Sequence, residues 1–218
     1  MRCILILLAM TTLPPALAAD RLQDWTAGEA GIYTHAREGA VRVGRVAADG
    51  MLQFEWPEGP SSRQTLAATF PTCREDGVAM AEPGDVAFLP TSLIVARGEG
   101  VDEELGALHL ATSKEVVAWR TSFGQDSAAE GAWLQYVHVS SVAKVEAECR
   151  THTYTGEGDD SYEQVTVYKV DFQPGWNLMR NAITGLHAAP SGKRHPSRIV
   201  IGVADASSSD ATWYFEPY

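Results

Sequence analysis

Basic side chains are the minority charge in this sequence of 218 residues. The chain carries 17 Lys and Arg against 28 Asp and Glu, which gives a formal net charge of −11. An acidic surface repels the phosphates of nucleic acids and of anionic membranes. We therefore expect no nucleic-acid partner.

Long apolar runs are also scarce, and the most marked one lies near the N-terminus. It follows Arg2, covers residues 4–10 and leads to the sequence Ala-Leu-Ala at 16–18. This order is typical of a secretory signal peptide, and the run is shorter than the roughly 20 residues that span a bilayer. We expect residues 1–18 to be cleaved, leaving residues 19–218 as a secreted or periplasmic protein with no transmembrane segment.

Cysteine occurs three times, and two of the three, Cys73 and Cys149, lie beyond the predicted cleavage site. In an oxidising compartment a disulfide between them is the default interpretation, and two buried free thiols are the alternative. The bond would stabilise the fold by about 4 to 5 kcal/mol in the chain-entropy model. Neither cysteine belongs to a C-x-x-C pair or another nucleophile signature, so no catalytic residue is predicted.

The mature sequence also lacks amphipathic helical periods of three or four turns, and residues 20–27 are the best helical candidate. Short segments of alternating polarity dominate instead, and the Asp49-Gly50 sequence between two of them predicts a tight hairpin. Pro90 interrupts one run and predicts an edge position, a bulge or a break into two strands. The strand candidates are 40–46, 51–56, 65–70, 86–96, 105–112, 115–122, 134–138, 145–150, 164–173, 176–179, 199–204 and 212–215.

Many short strands at close turn spacing indicate an all-β fold, an antiparallel β-sandwich or open barrel. The acidic stretch 98–106 is the candidate linker if two subdomains exist. We expect a single domain over residues 19–218, because a bond from Cys73 to Cys149 would cross that boundary.

Several of these segments together resemble uncharacterised secreted bacterial β-proteins. The resemblance rests on the Asp49-Gly50 hairpin, the two cysteines and the Gly175-Trp176-Asn177 turn, within roughly residues 40–180. It implies a cell-envelope β-fold without an assigned activity. The first hairpin alone is also similar to carboxypeptidase-regulatory and transthyretin-like modules.

Calcium is the cofactor candidate that the sequence suggests. Glu157, Asp159, Asp160 and Glu163 place four carboxylates in one Gly-containing loop, and calcium prefers several oxygen ligands. The spacing does not match an EF-hand loop, and a solvated hairpin loop is the simpler interpretation of these charges. We therefore predict no cofactor other than this calcium candidate.

Other candidate groups are less specific. The six histidines contain no H-E-x-x-H sequence, although His138 and His152 could meet across strands as zinc ligands. The basic segment 192–198 is either a binding site for an anionic glycan or partner, or a solvated loop. The six tryptophans are either a sugar-stacking platform or core residues.

These observations favour a secreted, non-enzymatic protein with a structural or macromolecular-interaction role in the cell envelope. Its expected partner is an envelope macromolecule or a glycan. The alternative is a carbohydrate- or calcium-binding module, and the third hypothesis is a hydrolase with an unfamiliar site.

Overall fold

A computed structural model describes residues 21–34, 40–59, 62, 64–70, 73, 80–98, 101–204 and 210–218 of the chain. The predicted signal peptide and His35 lie outside these described residues. Within them, strands dominate and two short helices occur, so the all-β class predicted from the sequence is confirmed. No helix in this part of the chain is long and apolar enough to cross a membrane.

The strands and helices are numbered in chain order. The strands are β1 (Ala30–Thr34), β2 (Val41–Val46), β3 (Leu52–Phe54), β4 (Met80–Glu82), β5 (Phe88–Pro90), β6 (Leu93–Arg97), β7 (Glu103–Ala111), β8 (Gly131–Val139), β9 (Ala143–Tyr154), β10 (Ser161–Phe172), β11 (Gly175–Ala188), β12 (Arg194–Val203) and β13 (Thr212–Pro217). The helices are α1 (Leu66–Thr69) and α2 (Lys114–Thr121).

The described strands form one open, mixed sheet in the order β3-β2-β1-β6-β7-β8-β11-β12-β10-β9-β4. β13 also pairs with β7, and β5 also pairs with β8. β10 and β12 run parallel to each other, whereas the other named pairs are antiparallel. The prediction of an antiparallel arrangement is therefore wrong at this pair. β11 connects β10 to β12 along the chain, but in the sheet β11 and β10 lie on opposite sides of β12.

Local turn chemistry produces the elements that the sequence predicted best. β2 and β3 form the expected hairpin, and Gly50 adopts the positive φ of +87° that a glycine accepts without strain. The run interrupted by Pro90 breaks into two strands, β5 and β6, since proline donates no ladder hydrogen bond.

Two predicted strands are helices in the structure. Segment 115–122 is mostly α2, which begins after Ser113, whose hydroxyl accepts a hydrogen bond from Val116 N at 3.3 Å. Segment 65–70 contains α1, capped in the same way by Thr65. β-branched and apolar residues favour a strand locally in both segments. The N-caps and the burial of Leu66 and Val116 outweigh this preference in the folded chain. Residues 21–27 of the helical candidate contain no helix.

The core consists of two clusters on opposite faces of β8. Leu134 and Tyr136 belong to one cluster, together with residues of β1, β2, β6, β7 and β13. Val137 and Val139 belong to the other, together with residues of α1, β5, β9 and β10. One face of β8 is therefore buried from Ala132 to Tyr136, and the opposite face is buried from Val137 to Val139.

A disulfide joins Cys73 to Cys149, with the two Cα atoms 5.0 Å apart, as the sequence predicted. Cys149 lies on the buried face of β9 and is 9% exposed. The bond connects the chain that follows α1 to the second core cluster.

Residues 103–106 of the candidate linker 98–106 belong to β7, which is hydrogen-bonded to β6. Arg97 of β6 and Glu103 of β7 form an ion pair of 3.1 Å.

Candidate functional site

The sheet forks at β7. Along one edge, β7 pairs continuously with β13. Along the other edge its partner is β6 as far as Leu108 and β8 from Leu110 onward, so the partner changes at His109. The chain crosses this fork at Thr91, whose backbone N–H donates to the Tyr136 carbonyl of β8 before β6 begins.

A cavity of about 50 Å³ lies at the fork. Residues 91–93, 107–110 and 134–136 line it, together with Arg120 of α2 and Trp213 of β13. The cavity has room for one small polar group, and it is far smaller than the roughly 300 to 1,000 Å³ of drug-sized ligand pockets.

Helix α2 positions Arg120 over the cavity. Val116 anchors the helix because its side chain is fully buried. Trp119 adds a second anchor through contact with Trp133 of β8, with the ring centroids 5.8 Å apart. Arg120 is the next residue, and these anchors fix the helix from which its side chain extends.

The Arg120 guanidinium is the main charge of this site. The side chain is half-buried, and this burial lowers the pKa of the guanidinium, which still remains charged at neutral pH. Among the residues that the structure describes, none accepts a hydrogen bond from this guanidinium or forms an ion pair with it. Partial burial removes some of the water around this charge, and no described carboxylate replaces it.

His109 is the second titratable group of the cavity. Its Nε2 lies 3.1 Å from Oε2 of Glu216 on the neighbouring β13. Burial lowers the pKa of His109, the positive charge of Arg120 lowers it further, and the Glu216 carboxylate raises it. The balance keeps the imidazole neutral at neutral pH, so Arg120 supplies the positive charge of the cavity.

The polar side chains at the crossing are already hydrogen-bonded. The Thr91 hydroxyl donates to the Tyr136 carbonyl at 2.6 Å, and Gln135 Nε2 donates to the Thr91 carbonyl at 2.6 Å. These bonds hold the two sides of the fork in place. Two donors among the lining residues have no described acceptor: the Arg120 guanidinium and the buried indole Nε1 of Trp213.

The charges around His109 lead to a first prediction. We expect Arg120→Met to raise the pKa of His109, because a neighbouring positive charge no longer opposes protonation. Glu216→Gln is expected to lower it, because a neutral amide no longer stabilises the imidazolium. NMR titration of the His109 ring protons measures both changes.

Arg97→Met is the matched control, since it removes a cation that is ion-paired elsewhere on β6 and β7. A His109 midpoint that is the same in wild type and in Arg120→Met would show that the guanidinium does not act on the imidazole.

The four carboxylates predicted as a calcium site have separate partners or face solvent. Glu157 accepts hydrogen bonds from the backbone N–H and the hydroxyl of Ser191, and Asp160 lies 3.1 Å from His187 Nε2. Glu163 is paired with Arg150, and Asp159 is exposed. Within the described ranges, no three His, Cys, Asp or Glu side chains form a group that could hold a metal ion.

The basic segment 192–198 lies beside this acidic loop. Tyr162 stacks on His187 with the ring centroids 4.7 Å apart, and its ring lies 5.9 Å from that of His195. Hydrogen bonds to His187 and Ser191 lower the pKa values of Asp160 and Glu157. The partners of Asp160 and Glu157 thus come from His187 and Ser191, just before the basic segment, and Arg198 of that segment pairs with Glu148 instead.

The two histidines predicted as possible zinc ligands have separate aromatic partners, and the tryptophans are mostly packed against the core. His138 packs edge-on against Trp176 on β8 and β11, whereas His152 packs against Tyr154 on β9. Trp56 and Trp176 pack against each other with centroids 4.5 Å apart, and the other tryptophans are also buried or half-buried. Core packing therefore accounts for most of the aromatic surface.

The residues of the cavity were missed by the sequence reasoning. His109 appeared only as one of six histidines, and Arg120 lay in a segment predicted as a strand. Glu216 is 107 positions away from His109, so no local spacing connects them. One local pattern could have predicted helix α2, which carries Arg120: Ser113 is a typical N-cap residue, and the acidic Glu115 follows in the first turn.

Comparison of the chain with protein-family models, curated proteins and solved structures found no match.

Proposed function

We propose that this protein is an exported, non-enzymatic β-sandwich protein that binds a macromolecular partner in the cell envelope. In this proposal, the Arg120 cavity holds one carboxylate of the partner. The observation that carries it is the half-buried guanidinium of Arg120 in the cavity lining, for which the described residues provide no acceptor. The disulfide is in keeping with an oxidising compartment.

A carboxylate fits the chemistry of this cavity. It accepts two parallel hydrogen bonds from a guanidinium, and such charge-assisted bonds are roughly twice as strong as neutral ones. The volume of about 50 Å³ admits the carboxylate group but not a complete drug-sized ligand. The rest of the ligand therefore lies outside, which favours a group on a larger partner.

The polar contacts favour binding over catalysis. The Thr91 hydroxyl donates to a main-chain carbonyl, and His109 is bonded to Glu216. In the described part of the cavity, the hydroxyl and the imidazole are thus not paired as nucleophile and base.

Acetate is the simplest probe of the proposal. We expect saturable chemical-shift changes at Arg120 and His109 on titration with acetate at constant ionic strength. The dissociation constant should be on the order of millimolar, since one bidentate pair supplies only a few kcal/mol. Arg120→Met is expected to abolish the saturation, and Arg97→Met is expected to leave it unchanged.

The same variant has a second expected readout. Arg120→Met should melt at the same temperature as wild type or higher, because an apolar side chain of similar length replaces a half-buried charge that has no described acceptor. Wild-type protein that does not saturate with acetate up to about 100 times this expected constant would overturn the proposed function.

A further inference from the structure

Trp213 of β13 borders the Arg120 cavity and carries a buried donor without a partner. The residue is 4% exposed, and its indole Nε1 has no hydrogen-bond acceptor among the residues that the structure describes. An indole nitrogen is a donor only, and a buried N–H without an acceptor loses its hydrogen bond to water on folding. An acceptor that reached this N–H from outside the described fold would therefore be stabilised.

Two other indoles of the chain provide a comparison. Trp25 Nε1 donates to the Gly28 carbonyl at 2.7 Å, and Trp176 Nε1 donates to the Pro57 carbonyl at 2.9 Å. Buried indole N–H groups in proteins usually have such a partner. Trp213 differs from these two residues because it lines the cavity, where an acceptor atom has room.

Arg120 and Trp213 approach the cavity from opposite faces of the sheet. Adjacent residues of a strand point to opposite faces. On β8, Trp133 contacts Trp119 of α2, so the helix that carries Arg120 lies on the Trp133 face. The next residue, Leu134, belongs to the first core cluster, which also contains Trp213. The cavity at the fork therefore lies between the helix on one face and the first core cluster on the other.

Exposure distinguishes the two sides of the cavity. Arg120 is half-buried, so part of its side chain reaches solvent, whereas Trp213 is almost completely buried. A ligand group that comes from solvent therefore enters on the Arg120 side and meets the Trp213 side last. The volume of about 50 Å³ is several times the roughly 15 Å³ that one water molecule requires, so a group with two oxygen atoms fits between the two sides.

We infer that Trp213 is the second binding residue of this cavity and that its indole N–H donates to the carboxylate held by Arg120. The inference rests on the proposed function and adds to it a residue that selects the ligand group. A carboxylate has about four acceptor sites on its two oxygens, so it accepts from a guanidinium and from an indole at the same time. A carboxamide offers one oxygen, and its NH₂ group finds no acceptor in either residue.

An acetate titration of the wild-type protein, followed by NMR of the indole N–H groups, tests the inference at the donor itself. We expect the Trp213 indole signal to shift and to saturate with the same dissociation constant as the signals of Arg120 and His109. The Trp176 indole signal should stay in place, because its N–H is already bonded to Pro57. Acetamide at the same concentrations should give no saturable shift at Trp213.

Trp213→Phe removes the donor and keeps an aromatic ring beside Phe54, on which Trp213 stacks. We expect this variant to bind acetate about tenfold more weakly than wild type, because one hydrogen bond to a charged group is lost. Trp176→Phe is the matched control, since it removes an indole N–H that is bonded elsewhere and should leave the acetate affinity unchanged. The wild-type indole signals provide the test even if Trp213→Phe does not fold.

The outcomes separate this inference from the proposed function. Saturation at Arg120 and His109 without a shift of the Trp213 indole would overturn the role of Trp213 and leave carboxylate binding by Arg120 intact. Equal acetate affinity in wild type and a folded Trp213→Phe would do the same. A saturable Trp213 shift with acetamide would show that the residue does not select a carboxylate. Absence of saturation with acetate in wild type would remove the proposed function and this inference together.

Discussion

Phe172→Ala is expected to lower the free energy of unfolding by about 3 to 5 kcal/mol. The Phe172 side chain is completely buried in the second core cluster. Its ring lies 5.8 Å from that of Phe88 and 6.3 Å from that of Phe70. Truncation removes these contacts and leaves a cavity, because β5 and α1 are held in place by their own hydrogen bonds and cannot close around it.

Urea denaturation measures this loss as a lower midpoint at an unchanged slope. Tyr154→Ala is the control, since that ring is mostly exposed and the free energy of unfolding should change by less than about 0.5 kcal/mol. A loss below about 1 kcal/mol for Phe172→Ala would contradict the assignment of Phe172 to a closely packed core.

Removal of the disulfide is the second large effect that we expect. The double variant Cys73→Ser, Cys149→Ser releases a loop closed across 76 positions, which corresponds to about 4.5 kcal/mol in the chain-entropy model. For a chain of this length, that loss lowers the melting temperature by about 10 °C or more. The bond also connects the chain after α1 to β9, so its loss frees one side of the second core cluster.

Thermal melts of the oxidised protein, the reduced protein and the double variant measure this effect. The reduced wild-type protein should melt close to the double variant, because both lack the same bond. If the oxidised protein and the double variant melted within about 1 °C of each other, the disulfide would not be a major source of stability.

Predictions from local sequence succeeded where neighbouring residues decide the structure. The Asp49-Gly50 turn and the break at Pro90 each depend on a few adjacent residues. They failed at α2, whose valines favour a strand locally. The cap at Ser113 and the burial of Val116 outweigh that preference in the folded chain.

The candidate site could not be predicted from local pattern. Arg120 and His109 lie on different elements, and Glu216 comes from the last strand of the sheet. The cavity exists because β6 and β8 share one edge of β7, and no spacing in the sequence encodes that arrangement. The acidic loop was the most visible cluster in the sequence, yet its carboxylates bond to different residues.

The sequence by itself determined the all-β class, the first hairpin and the pair of cysteines that form the disulfide. Each depends on side-chain alternation, turn chemistry or the number of cysteines, which are properties of short segments or of composition. Only the tertiary structure decided the parallel pairing of β10 with β12, the fork at β7 and the position of Arg120 over the cavity. These features depend on contacts between distant segments, and such contacts are selected by the free energy of the whole fold rather than by local preference.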